Sequence, residues 1–205
     1  MTADTSLPAA LGIGFLLGLR HATDADHIAA VATFVSRDRS LVRSCLVGTF
    51  WGVGHTAALL TAGMATIIFK LTISPALEKT LEIMVALILI VLGGQVLLGV
   101  RVPVHQHVRT FGTRPFFVGL LHGLTGSAAL TLFVLATISS PLAGVLYIVV
   151  FGVGSTIGML AVSSVIALPF VFTGGRADHL TTTIRTVAGG ASVVLGVWLV
   201  WTSHG

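Results

Sequence analysis

The sequence predicts an all-α polytopic membrane protein, and three observations carry that reading. The 205 residues are 55% hydrophobic and only 9% charged, with a mean hydropathy of +1.02. Soluble domains carry about 25% charged residues. Six apolar segments, roughly 7–35, 44–69, 80–100, 115–138, 142–173 and 183–202, reach the ~20 residues that a spanning helix needs. The basic residues gather in alternate connections between those segments, the pattern that orients helices in a bilayer.

The first and fifth segments are too long for one straight span. Each has a polar or glycine-rich interruption, so both are expected to be bent or broken. Splitting the first into a hairpin would make seven crossings. Each half would then hold about 14 residues, too short for ~30 Å of hydrocarbon, so six is preferred. The leading Met1-Thr-Ala-Asp-Thr-Ser6 has no basic region; the first segment is expected to stay in the mature protein.

Arg37, Arg39 and Arg43 follow segment one, Arg101, Arg109 and Arg114 follow segment three, and Arg176 and Arg185 follow segment five. These are eight of the 11 basic residues. Their side should be the cytoplasm, which puts both termini outside. The net charge of +4 is therefore read as an orientation signal and not as a nucleic-acid surface. The 24 glycines suit close helix packing in lipid. The lone Cys45 excludes an intrachain disulfide and a cysteine metal cluster.

The chain repeats internally. Gly18-Leu-Arg-His-Ala matches Gly119-Leu-Leu-His-Gly, Gly52-Val-Gly-His-Thr matches Gly152-Val-Gly-Ser-Thr, and Val91-Leu-Gly matches Val194-Leu-Gly, at offsets of 101, 100 and 103. Three matches in one order at nearly one offset predict two three-helix repeats, about 7–100 and 115–202, in one transmembrane domain over 1–205. An odd number of helices per repeat inverts the second half, and inverted repeats place a substrate site near the membrane midplane.

The chemistry concentrates in Gly18-Leu-Arg-His-Ala-Thr-Asp-Ala-Asp-His-Ile28. His21, Asp24, Asp26 and His27 are all metal-capable, and they lie inside an apolar run. Ionisable groups at membrane depth are costly and usually functional. On a straight helix, Asp24 falls about 300° and His27 about 240° from His21, one face, while Asp26 falls at about 140°. Asp26 thus needs a local unwinding, or it serves a neighbour such as Arg20. The rival reading is a helix cap at Thr23 or Asp24, or a buried ion-pair network. Imidazole with carboxylate suits nickel, cobalt, zinc or copper.

His55, inside Gly-Val-Gly-His-Thr, is the fifth candidate ligand; the rival is a core histidine bonded to a helix carbonyl. Its repeat partner is Ser155. His122 is the repeat partner of His21, but its half has lost the acids. Together with Thr56, Thr125, Ser127 and Ser155 it is assigned to the transport path, as part of a gate. His105 and His107 form His-x-His in a loop, where solvation is the simpler reading and receipt of an exiting ion the alternative. His179 and His204 carry less weight.

At Arg20-His-Ala-Thr-Asp-Ala-Asp-His-Ile28 the sequence resembles the nickel/cobalt transporter (NiCoT-type) family, whose signature is His-x4-Asp-His. His21, Asp26 and His27 match it, and Gly54-His55-Thr56 looks like that family's second histidine motif. The second half departs, because Gly119-Leu-Leu-His-Gly-Leu-Thr-Gly-Ser127 stands where larger permeases are acidic. The pattern is closest to the small urease-accessory and efflux-type branch. The resemblance implies a prokaryotic inner-membrane protein that supplies nickel to urease or hydrogenase, or cobalt to cobalamin synthesis.

The expectation is a secondary permease that carries Ni²⁺ or Co²⁺ through the His/Asp site, with import favoured. Efflux, or a membrane accessory that binds metal for enzyme maturation, is the alternative. The partners would be the metal ion and the bilayer, with a homo-oligomer or a metallochaperone left open, and no cofactor is expected beyond the transported ion. No Gly-x4-Gly-Lys-Ser/Thr nucleotide motif is present. His-Glu-x-x-His and His-x-x-Glu-His are absent too, so the chain is not read as an enzyme.

Overall fold

Serine and proline start the long helices. Ser40 and Ser74 sit in extended conformation and accept from Arg43 N and Leu77 N, satisfying donors that a helix start leaves open. Pro75 and Pro141 follow at first helical positions, where a missing N–H costs nothing. The computed structural model describes residues 6–36, 40–70, 74–100, 112–138, 140–172 and 178–204. Among these the chain is all helix: α1 Ser6–His21, α2 Ala25–Val35, α3 Leu41–Phe69, α4 Pro75–Leu97, α5 Thr113–Thr137, α6 Pro141–Phe172 and α7 Asp178–His204.

By length and composition, α3, α4, α6 and the Thr181–Ser203 stretch of α7 can each cross a membrane. Their outward faces are apolar: Val53, Leu87, Val91, Ile157, Val194, Trp198 and Trp201 are all exposed. Large exposed apolar faces of this extent suit lipid. Among the described residues this is an all-helical fold with four helices suited to a membrane.

The first apolar segment is two helices. Ala22, Thr23 and Asp24 interrupt it. Thr23 N and Thr23 Oγ1 both turn back to the Arg20 carbonyl, at 2.8 and 2.6 Å. Asp24 then takes an extended conformation at the N-cap of α2, but its side chain makes no capping bond. Polar side chains that bond nearby backbone give the chain an alternative to helix. α1 and α2 do not pack along each other as hairpin arms would: α1 lies on α6, and α2 lies on α7, α4 and α6. The fifth segment, also expected to be bent or broken, is not broken: it is the uninterrupted 32-residue α6. Its glycines stay helical and serve close contact, and Pro169 falls in its last turn, where little helix remains to disrupt.

α3 is the central helix, packed on both α5 and α6, while α4 pairs with α7. The contacts are made by glycines, and they are exchanged between the two halves. A Cβ at Gly18 would strike the Phe151 carbonyl, and one at Gly119 would strike the Trp51 carbonyl. Gly54 lies on the Phe116 carbonyl and Gly154 on the Phe15 carbonyl. Gly93 meets the Gly189 carbonyl, and Gly196 meets the Ala86 carbonyl. Thr56 Oγ1 lies 3.1 Å from Thr156 Oγ1 and donates to the Gly152 carbonyl at 3.0 Å. Small residues of this kind let helix backbones approach in lipid.

α2 is anchored at its end by α7. Arg185 Nε donates to the Ser36 carbonyl at 2.7 Å, and Ser36 is fully buried. A cation there satisfies an open carbonyl and opposes the helix dipole. Arg185→Ala is expected to cost about 1.5–3 kcal/mol, read as a lower thermal midpoint in detergent and faster amide exchange in α2. Unchanged exchange in α2 would show that the bond is not a clamp.

Candidate metal centre

The break between α1 and α2 sets the centre. It separates His21, the last residue of α1, from Asp26 and His27 in the first turn of α2. α3 brings His55 and α5 brings His122 to the same place. His27 is in the middle. Its ring centroid lies 4.5 Å from that of His21, 5.2 Å from His55 and 4.2 Å from His122. Trp51 packs at one side, 5.7 Å from the His122 ring, and Phe151 packs on His21 at 5.5 Å.

Carboxylates orient two of the rings. Asp24 Oδ2 is 2.8 Å from His21 Nδ1. Asp26 Oδ1 is 3.1 Å from His27 Nδ1 and also accepts from the His27 backbone N–H at 2.9 Å. With its Nδ1–H donated to a carboxylate, each imidazole turns an Nε2 lone pair outward; this is the arrangement in which histidines bind metals. His21 Nε2 points at His55 Nε2, 3.2 Å away. His27 Nε2 is buried and has no hydrogen-bond partner. An unsatisfied buried nitrogen is expensive, and a cation among these lone pairs would satisfy it. His21, His27 and His55 present ligand atoms within 4.8 Å of one another, and so do Asp26, His27 and His122.

The centre is graded from outside to inside. The Asp24 side chain is 52% exposed and that of His21 25%, whereas His27, His55 and His122 are buried. Arg20 and Thr23 are exposed beside Asp24, which makes that end polar.

The straight-helix arithmetic does not describe this geometry. Three residues out of helical phase rotate α2 relative to α1, and Asp26, nominally turned away, comes to lie between His27 and His122. Its Oδ2 is 2.9 Å from His122 Nε2. Asp26 therefore answers two histidines and not Arg20. Asp24 does occupy the N-cap position, yet its carboxylate goes to His21 and not to the backbone.

Other candidates fall elsewhere. Thr125 Oγ1 bonds back to its own helix, at the Leu121 and His122 carbonyls. Thr56 is spent on the α3–α6 contact. Ser155 is fully buried, and its Oγ has no partner. The Ser127 side chain, His105 and His107 lie outside the described residues. Exposed His179 is in the first turn of α7. Trp51 was missed. It stands four residues before His55, hence on the same face of α3, and Phe151 stands at the matching place before Ser155; that repeated aromatic was the available signal.

Fold and centre together define a class: a helical membrane protein with a buried histidine cluster at the break of its first apolar segment. Its relatives are more specific. The urease accessory protein UreH of Bacillus sp. (strain TB-90) is 36% identical over 203 residues, covering 91% of this chain and 88% of that protein. The chain belongs to the UreH family, in coarse agreement with the nickel/cobalt transporter resemblance. Two Arabidopsis thaliana chloroplast proteins, FOR GROWTH AND FERTILITY 1 and 2, are 24% and 27% identical over 91% and 71% of this chain. The matched regions span only 57% and 44% of those two proteins. No family model matches the chain, and no solved structure matches it.

Proposed function

We propose that the chain is a secondary permease for Ni²⁺ or Co²⁺ in a prokaryotic cytoplasmic membrane. One observation carries this reading: three buried or half-buried histidines from three helices converge, and the Nε2 of the most central one, His27, lacks a partner. The donor set of imidazoles with a carboxylate suits these metals. Urease is a nickel enzyme, so membership in a urease accessory family adds a need for that cargo.

The fold is read as six crossings, with α1 and α2 forming one broken crossing. The exchanged glycine contacts support two inverted three-helix repeats, and the Thr56–Thr156 pair would lie near their axis. Irregular backbone at membrane depth is tolerated where it lines a cavity or is buried in protein, which suits the Ala22–Asp24 break. The exposed Asp24 end admits the ion from outside. His21, His27 and His55 then replace part of its water shell. Rocking of the halves would expose the centre to the cytoplasm. Import is favoured because a dication moving to a negative interior gains about 4.6 kcal/mol per 100 mV, twice the single-charge value.

The test is flux into liposomes. Reconstituted wild-type protein should accumulate Ni²⁺ or Co²⁺ when the interior is made negative, and His21→Ala should reduce the rate to that of protein-free vesicles. Wild-type uptake no faster than the protein-free leak, with metal still bound, would leave an accessory metal-binding role and remove the permease.

A further inference from the structure

The two ligand sets share a residue. His21, His27 and His55 make one set, and Asp26, His27 and His122 make the other. The His27 side chain is 1% exposed and central to both. The sets differ in charge. The first is imidazole alone, whereas the second holds a carboxylate, already set between His27 and His122 at 3.1 and 2.9 Å. The first lies beside the exposed end of the centre, because His21 bonds to the 52%-exposed Asp24, although each set holds one partly exposed member, His21 at 25% and Asp26 at 31%.

Two dications could not occupy both sets together. The positions share a ligand and contain one carboxylate between them, so repulsion at such a separation would be only partly offset. An ion can nonetheless exchange one position for the other without leaving the protein. It would release His21 and His55 as it gains His122 and Asp26, and His27 remains a ligand in both. Exchange of ligands a few at a time avoids a fully uncoordinated ion in a low-dielectric interior, where a bare charge is most costly.

This inference rests on the permease reading. We propose that the centre is a two-position relay: an outer all-histidine position at His21, His27 and His55, and an inner carboxylate position at Asp26, His27 and His122. A divalent transition metal occupies them in turn. His122 is then a ligand contributed by the second half of the chain, and Asp26 is a ligand of the inner position as well as an orienting group for His27.

Co²⁺ tests the relay, because its visible spectrum reports the number and type of ligands. Detergent-purified wild-type protein should bind one Co²⁺ per chain. The double variant His21→Ala/His55→Ala loses the outer position. It should still bind Co²⁺, more weakly than the wild type and with an altered spectrum. Adding His122→Gln, whose amide can still donate to Asp26 but is a poor ligand, should abolish that residual binding. In an otherwise wild-type chain, His122→Gln should slow liposome uptake and alter the Co²⁺ spectrum.

The relay is overturned if the folded double variant binds no Co²⁺ although the wild type does, or if the residual binding ignores His122→Gln. If the double variant does not elute as a folded species, His21→Ala alone serves. It leaves two histidines of the outer set, and its Co²⁺ binding should likewise become sensitive to His122→Gln. Absence of Co²⁺ and Ni²⁺ binding by the wild type would instead defeat the function proposed above.

Discussion

Replacing His27 by alanine is expected to abolish Ni²⁺ and Co²⁺ binding, with an affinity loss beyond the roughly 10- to 100-fold typical of a residue that only orients a ligand. No other single substitution in the centre should reach this size. His21 and His55 serve the outer set and His122 the inner one, but His27 serves both. Its Nε2 is also a buried nitrogen without a hydrogen-bond partner, so it gains from a cation at either position. The fold should survive the change. Asp26 would keep the backbone N–H of residue 27 and His122 Nε2 as partners, and the loss of one buried hydrogen bond costs about 1–3 kcal/mol. Calorimetric titration of detergent-purified protein measures the effect, with thermal unfolding beside it to separate lost binding from lost structure. Tight Ni²⁺ binding by folded His27→Ala would place the metal elsewhere and sink both the centre and the relay.

That ranking was only partly legible in the sequence. Four metal-capable side chains within an apolar run marked the stretch, because the cost of intramembrane charge makes such a cluster conspicuous. The same polarity marked the helix break. What could not be read was the direction of each side chain after the break. Angular arithmetic at about 100° per residue holds only while the helix continues. Across Ala22–Asp24 the phase is lost, and with it the separation that set Asp26 apart from the other three. His122 is a different case. It was found through the repeat, but its half had lost the acids, and the residue was assigned to the gate. Its acid exists on the other half, 96 residues away, as Asp26. A contact across halves leaves no trace in local pattern. The glycines behaved similarly: their repetition announced close helix contact, whereas the carbonyl each one meets is a property of the assembled bundle.

Gly119→Ala is the other substitution with a large expected effect, and Gly94→Ala is its control. Alanine is the better helix former by about 1 kcal/mol, so propensity alone would make both changes stabilising. Gly94, inside α4, has nothing within 4 Å of an added Cβ, and there propensity should win, raising the thermal midpoint. At Gly119 the added Cβ would fall on the Trp51 carbonyl, with the Trp51 Cα only 3.0 Å away. Those are backbone atoms of the central helix, which cannot turn aside as a side chain can. Overpacking of this kind costs about 1–3 kcal/mol, occasionally more, so the net change should be destabilising by up to about 2 kcal/mol after the ~1 kcal/mol propensity gain. The displacement would also reach the metal centre. Trp51 lies against His122, and His122 sits one helical turn beyond Gly119 on α5. Pushing α5 away from α3 therefore moves His122 away from Asp26 on α2. Gly119→Ala should lower metal affinity as well as the midpoint, and Gly94→Ala should leave affinity untouched. Equal midpoints for the two variants would mean that the α3–α5 contact is looser than the backbone geometry requires. A lowered midpoint with unchanged affinity would separate the glycine seam from the centre it supports.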